Sequence, residues 1–529
     1  MKKQSFLRGS LLLTISAIFA KICGALFKLP LTAQLGGVGM GYFSCAYGLF
    51  LPVYAVLVTG LSTAVAKPTA DFIAKKKFSC ALKVRKTAGI LCFFMGLAGM
   101  LGMFFSAKSF TWKMSGTLEA YPAVLAVTPA VFFCCLTAVE RGYYEGLCSM
   151  TPTAVSQALE AVSKLIAGLY FSKVFISSEF NIFKNYSPEA RGAFGAVLGV
   201  TLSTVTGWLY LVIQNHFRKL PEHSGEAVPS AKKIIKLLLK IMIPASLGAL
   251  VTNLTSLIDL CTMMRSFSKM LSENPENFYA KANLIKSVPP EKAVSFVYGS
   301  FMGLSVTVFN LVPSLTNMLA KSVLPCTAQA WSAGNRKQTA EYARQVLILT
   351  GLLAIPAGCG IFALSEEILK FLFSGREAEI QTAVSGLKYL SFGVTGLCLT
   401  FPVFSLLQAI GREDLPVKVM LAGIFIKFLF NLLLIPKFCT VGASLSTGVC
   451  YWIILLSALH CLKKELGEPL DVIKPFLLQL WGGLLCAGCA WLCCQKAGFV
   501  VALLTAVLVY SIFLFLTSWK DLKILLKFS

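Results

Sequence analysis

Acidic residues and histidine are what this sequence most lacks. Its 529 residues include 24 Asp and Glu and three histidines, His216, His223 and His460. All three histidines fall in expected loops or at helix ends. That scarcity excludes most catalytic centres built on paired carboxylates, Ser-His-Asp relays or His-rich zinc sites. No P-loop, G-x-S-x-G turn or zinc-ligand spacing is present either. ATP is therefore not expected to deliver energy through this chain, and no cofactor or metal is implied. Long polar stretches are missing too, which leaves no room for a separate soluble catalytic domain, since such domains rarely fall below about 50 residues.

What is abundant is apolar length. Hydrophobic residues make up 56% of the chain and charged ones 14%, with a mean hydropathy of +0.75. A water-soluble core cannot hide that much apolar surface. Each bilayer crossing takes about 20 mostly apolar residues, and hydrocarbon forces the backbone to satisfy its own hydrogen bonds. The apolar runs are long and continuous rather than alternating, so helices are expected rather than a barrel. About fourteen fall near 10–30, 43–66, 88–106, 121–140, 152–171, 193–214, 237–260, 294–318, 343–364, 386–409, 417–436, 440–461, 473–493 and 498–518. The longest connections are 67–87, 215–236, 261–293 and 319–342. The fold expected is an all-α polytopic membrane protein.

The net charge of +24 would raise nucleic acid as a partner in a soluble protein. Here the basic residues crowd into short loops, above all Lys67–Lys86 and Arg218–Lys240. They read as topology signals that place both termini in the cytoplasm, with no nucleic acid implied. The basic start Met1–Arg8 and the apolar Gly9–Pro30 resemble a signal peptide in outline. The run is long, holds Lys21 and lacks a small-x-small site, so an uncleaved first helix is expected. The 18 cysteines are scattered through apolar runs. Even Cys486, Cys489, Cys493 and Cys494 have no histidine nearby and read as small apolar residues.

The halves look related. Tyr47-Gly48 opens a helix ending in Ala66-Lys67-Pro68. Tyr298-Gly299 opens one ending in Ala320-Lys321, with Pro325 following. Arg141 and Pro152 precede a helix carrying Lys164, as Arg412 and Pro416 precede one carrying Lys427. A duplicated six-helix unit is expected, with both copies in the same membrane orientation. The domains are then 1–215, a cytoplasmic linker 216–236, a second lobe 237–461, and two additional helices in 462–529.

Ionisable groups inside hydrocarbon are costly and mark candidate sites. Lys21 and Lys28 share one face of the first helix, nearly two turns apart; Lys28 could also snorkel to the interface. Gln157, Glu160 and Lys164 lie on the fifth helix. Glu160 and Lys164, at i,i+4, are either a self-neutralised pair or a cavity lysine held by its glutamate. Gly248, Thr252, Thr255 and Asp259 form a polar stripe on the seventh helix, with Arg265 beyond. Asp259 is a candidate for proton or sodium coupling, a partner for a lysine of the first helix, or a helix-end residue meeting interfacial water. Lys427 and Asn431 sit one turn apart on the eleventh helix. The deep charge is mostly basic: Lys21, Lys164 and Lys427 against Glu160. Such a cavity favours a phosphate, pyrophosphate or carboxylate.

At these residues a resemblance emerges. "AKICGALFKLPLTAQLGGVGMGYFSCAYGLF", "ERGYYEGLCSMTPTAVSQALEAVSKLI", "YGSFMGLSVTVFNLVPSLTNMLAKSVLPCTAQAWSAGNRKQ", "TGLLAIPAGCGIFALSEEILKFLF" and "QAIGREDLPVKVMLAGIFIKFLFNLLLIP" occur in order. Together they resemble the polysaccharide-transporter family grouped with stage V sporulation protein B. That family is related to MurJ-type lipid II flippases of the MOP (MATE-like) superfamily. The resemblance implies two six-helix lobes in a V around a central cavity, plus two C-terminal helices, working by alternating access. It implies transport of undecaprenyl-pyrophosphate-linked saccharide across the cytoplasmic membrane, with lipid II, the peptidoglycan precursor, the leading substrate. Basic residues of the first helix then hold the pyrophosphate, with Lys21 standing where the flippases have arginine. The family's basic residue in the second helix has no match here. The substrate-binding set expected is Lys21, Lys28, Lys164, Lys427 and Arg265, with Gln157, Glu160, Thr252, Thr255 and Asn431 as polar cavity residues. Partners expected are the lipid-linked saccharide, the bilayer, a proton or sodium ion, and cell-wall synthesis proteins. The competing functions are export of another lipid-linked polysaccharide precursor, cation-coupled multidrug export of the MATE type, a membrane glycosyl-transfer enzyme, and a scaffold role in wall or spore assembly.

Overall fold

A computed structural model describes residues 6–177, 185–216 and 229–526, without the side chains of 6–11, 14, 115, 244, 247–248, 251–252, 318, 321–322, 325 and 518–526. Among the described residues every regular element is helical. The helices are α1 (Phe6–Tyr54), α2 (Leu61–Ala74), α3 (Phe78–Ser115), α4 (Tyr121–Gly146), α5 (Thr151–Ser177), α6 (Pro188–His216), α7 (Ala231–Glu273), α8 (Pro275–Lys281), α9 (Pro290–Ser300), α10 (Val306–Phe309), α11 (Leu311–Ser332), α12 (Arg336–Ala363), α13 (Ser365–Leu372), α14 (Glu377–Ala409), α15 (Asp414–Phe438), α16 (Thr440–Leu466), α17 (Ile473–Ala497) and α18 (Phe499–Leu526).

Eleven stretches among the described residues are long and apolar enough to span a membrane. The first, Ile15–Ala74, is twice the length of one crossing. It breaks at Gly36, whose φ of 63° and ψ of −175° only glycine adopts without strain. The expected loop between the first two spans is thus a single glycine kink. The polar-striped α5 and α7 are outside the eleven; with them and the Gly36 break the chain approaches the expected fourteen.

The expected connections were too long. Helix α2 runs on to Ala74 and α3 begins at Phe78; α7 reaches Glu273; α11 reaches Ser332 and α12 begins at Arg336. Hydropathy marks where lipid ends, but a helix keeps its hydrogen bonds on into the interface; α7 stops before Pro275 and α11 before Gly334, whereas α2 stops at Lys75–Lys77, where Lys76 takes a φ of 58°. Of the 216–236 linker, residues 217–228 lie outside the described residues.

Two compact units form, Met1–Met264 and Arg265–Ser529, with the boundary inside α7. In the first, small residues let helix backbones touch. A Cβ on Gly199 would lie 2.3 Å from the Gly168 Cα, and one on Gly195 would lie 2.4 Å from the Phe171 carbonyl oxygen, so α5 and α6 pack without side chains between them. Gly142 and Gly146 bring α4 equally close to the Ser62 and Ala66 carbonyls of α2. Gly60 meets the Met242 carbonyl and Gly48 meets Leu260, which seats α7 on this unit. In the second unit, Leu347, Leu399, Val403, Leu407, Ala458 and Leu462 belong to a core shared by α12, α14 and α16. Gln479 of α17 donates to the Ile348 carbonyl at 3.1 Å, tying the C-terminal pair to α12.

Each unit repeats one irregularity. A π-turn spans Ala55–Thr59, and the helix breaks at Gly60 before α2. A second π-turn spans Phe301–Ser305, and the helix breaks at Asn310 before α11. The two breaks are 250 positions apart, and the Tyr-Gly pairs that precede them are 251 apart. The π-turns themselves start 246 positions apart, and their recurrence in both units accords with the expected duplication; such turns are rare and appear frequently at functional sites.

Candidate functional site

In the first unit, Lys164 of α5 reaches across to α1. Its Nζ donates to the Tyr47 hydroxyl at 3.1 Å. It also lies 5.3 Å from the Phe27 ring centroid and 5.4 Å from that of Tyr47, where ring quadrupoles stabilise a cation. Tyr47 is fixed by an aromatic column, Phe43, Tyr47, Phe50 and Tyr54, with centroids 4.8, 5.9 and 5.5 Å apart. Lys28, next to Phe27 in sequence, is half-buried and close enough to Lys164 for the two charges to interact. Sequence spacing could not place Lys28 and Lys164 together, because they belong to different helices. Lys21 lies on the exposed side of α1. Gln157 accepts from Ser16 at 3.4 Å, and Ser16 also donates to the Ala154 carbonyl at 2.7 Å, so Gln157 sits in the α1–α5 seam.

Glu160 is not the partner of Lys164. It pairs with Arg141 of α4 at 2.6 Å, and Arg141 also donates to Ser156 at 2.9 Å. The expected i,i+4 pair gives way because guanidinium offers a fork that binds carboxylate and hydroxyl together, which a lysine cannot. The two acidic side chains of α4 are also engaged. Glu140 takes a two-pronged bond from Arg85 of α3, at 2.9–3.2 Å, and another from Asn215 of α6 at 2.9 Å. Glu145 accepts from Ser62 at 3.2 Å. Among the described residues no carboxylate pairs with Lys164. Its neighbourhood is cationic and aromatic-walled, an arrangement that can bind an anion. Arg141, Tyr47 and Phe27 were not among the residues expected at the site. The aromatic spacing 43-47-50-54 was the available signal for the first helix pair.

In the second unit, Lys427 and Asn431 are 2% and 0% exposed. They share the buried face of α15 with Pro416, Met420, Gly423 and Ile435. Gly423 lets α16 approach, and its carbonyl accepts from the Cys450 thiol at 3.2 Å. On α7, Thr255 is buried, Asp259 half-buried and Arg265 exposed. The side chain of Thr252 lies outside the described residues. The second unit also holds an apolar groove of about 1010 Å³ between α12, α14, α16 and α17. Phe392, Trp452, Phe476, Leu480 and Trp491 line it, with Lys388 as its cation. All 18 cysteines are free, and no group of His, Cys, Asp and Glu able to hold a metal occurs among the described residues.

The chain and its fold have parallels among known proteins. Stage V sporulation protein B of Bacillus subtilis (strain 168) is 23% identical over 498 residues, covering 90% of this chain and 87% of that protein. Lipid II flippase MurJ of the same organism is also 23% identical, over 90% of this chain and 86% of its own length. Among solved structures, lipid II flippase MurJ in an inward closed conformation superposes with a TM-score of 0.69 at 16% identity, covering 95% of this chain and 98% of that one. An inward-facing multidrug resistance MATE family transporter of the MOP superfamily gives 0.63 at 15% identity, covering 84% and 94%. The family described as lipid II flippase MurJ matches residues 48–517. The chain is a multi-pass membrane protein with the transporter fold, and it belongs to the lipid II flippase MurJ family.

Proposed function

We propose that this protein flips an undecaprenyl-pyrophosphate-linked saccharide across the cytoplasmic membrane by alternating access, with lipid II as its leading substrate. The observation that carries this reading is the Lys28–Lys164 site, from which Glu160 is withdrawn by Arg141. Two lysines close enough for their charges to interact, one of them held over the Phe27 and Tyr47 rings, suit a diphosphate, whose several oxygens can accept from both. The apolar groove along α17 supports a lipid substrate, because a prenyl chain gains by leaving the bilayer only where apolar walls replace lipid contacts. Lys21, Lys427 and Arg265 are assigned to further headgroup contacts, and Asp259 to coupling with a proton or sodium ion. The six-helix copies 1–215 and 237–461 are the two moving lobes, and both termini face the cytoplasm.

A MATE-type exporter of organic cations is less well supported. It needs an accessible acidic site, and the α4 and α5 carboxylates are all tied to structural partners.

The test is complementation of a strain depleted of its lipid II flippase, alongside membrane abundance of each variant. Lys28→Ala and Lys164→Ala are each expected to stay abundant and to lower flipping at least tenfold, since one charge-assisted bond to phosphate contributes about 1.5–3 kcal/mol. Abundant, fully active variants would overturn the anion site.

A further inference from the structure

A second cleft lies away from these residues, on the first unit. It measures about 570 Å³ and runs between α3 and the start of α7. Lys83, Lys86 and Thr87 form its mouth. Ile90, Leu91, Phe94, Met95 and Ala98 continue along the same face of α3, and Ala231 and Ile235 of α7 close the other wall. Arg85, between the two lysines in sequence, turns inward to Glu140. Lys83 and Lys86 are exposed, and neither has an ion-pair partner among the described residues. Lys232, Lys233 and Lys236 are exposed in the first turns of α7.

We infer that this cleft is a binding site for an anionic glycerophospholipid of the surrounding bilayer, with its phosphate on Lys83 and Lys86 and an acyl chain along Ile90, Phe94 and Ala98. Two independent features fit. The first is charge: unpaired lysines sit where the polar start of α3 gives way to an apolar run, and basic pockets beside spanning helices attract anionic headgroups. The second is length. From Lys83 to Ala98 is 15 residues, about 22 Å of helix, which equals about half of a 40–45 Å bilayer including headgroups. The cleft therefore covers one leaflet, with its cations at headgroup depth and its apolar walls at acyl depth. Ile90 and Phe94, each 63% exposed in the isolated chain, then become acyl contacts. Because α3 and α7 form the two walls, bound lipid bridges them and biases how α7 seats.

The experiment uses the full chain in phosphatidylcholine nanodiscs doped with a photoactivatable phosphatidylglycerol, and maps adducts by mass spectrometry. Adducts are expected on residues 87–98 and 231–235. In Lys83→Gln/Lys86→Gln they are expected to fall about tenfold or more at low salt. Lys108→Gln/Lys113→Gln, at the other end of α3, should leave them unchanged. Equal labelling by a photoactivatable phosphatidylcholine would reduce the cleft to ordinary lipid contact and overturn the proposal, as would unchanged labelling of the Lys83/Lys86 variant. Displacement of the probe by soluble glycerol phosphate would show that the cleft selects free phosphate rather than lipid. None of these results depends on what the protein transports.

Discussion

Removing Arg141 and removing Lys164 should do opposite things. Arg141 neutralises a half-buried glutamate and also holds Ser156, whose hydroxyl donates to the Gly207 carbonyl on α6. Stripping it away leaves Glu160 in a low-dielectric seam without its counter-charge. Loss of one partner from a buried pair costs about 3–5 kcal/mol, and partial exposure of this one brings the expected cost to the lower end of that range or below. Arg141→Ala should therefore lower membrane abundance and thermal stability in detergent, and Arg141→Ala/Glu160→Gln should restore much of both. Lys164→Ala should leave abundance near wild type, because its partner is a tyrosine hydroxyl that water can satisfy. If Lys164→Ala proves the less abundant, the pairing is the reverse. Sequence spacing alone favoured Glu160–Lys164, since i,i+4 contacts are the only ones it can see. The α4–α5 pair became visible only when the turn at Cys148 brought Arg141 back alongside Glu160.

At the level of elements, glycine positions decide which helices touch. Helices α5 and α6 meet where Gly199 lies against the Gly168 backbone, and no side chain there can move aside. Gly199→Val should separate the two helices, costing at least the 1–3 kcal/mol of ordinary overpacking. It should show as reduced abundance and faster proteolysis at the α5–α6 connection. Gly24→Ala, whose Cβ would meet nothing within 4 Å, is the matched control. Wild-type stability for Gly199→Val would mean that the two helices do not pack this closely. Part of this architecture was legible beforehand: the spans and the all-helical class follow from hydropathy, and motifs such as Tyr47-Gly48 and Tyr298-Gly299 raise the expectation of two related halves. What stayed hidden was where helices end. Segments such as Lys67–Ala74 and Ala320–Ser332 are too mixed in composition to read as spans, yet both stay helical, even with Pro68 and Pro325 inside them. The π-turns at Ala55–Thr59 and Phe301–Ser305 also have no composition signature, and only the folded structure exposes them.

For the whole molecule, the distribution of charge makes a statement about orientation that native cysteines can test. Lysines concentrate at Lys67–Lys86 and again at Lys232–Lys240, the second group entering α7 from the same membrane side as the first if spans alternate. Positive residues near span ends resist translocation, so this side should be cytoplasmic. Alternation then places the α4–α5 turn on the cytoplasmic side and α8 outside. Cys148 is exposed in that turn, and most other cysteines are buried or only half-exposed. Asn277 is exposed on α8, with its backbone N–H held by the Asn274 side chain. A membrane-impermeant maleimide applied to intact cells should therefore leave Cys148 unmodified and should modify Asn277→Cys. Permeabilised cells should yield both adducts, read by mass spectrometry of the two peptides. Modification of Cys148 in intact cells, with Asn277→Cys protected, would invert the protein. It would also move the lysine-mouthed cleft of α3 to the outer leaflet, where cytoplasmic-leaflet lipids could not reach it.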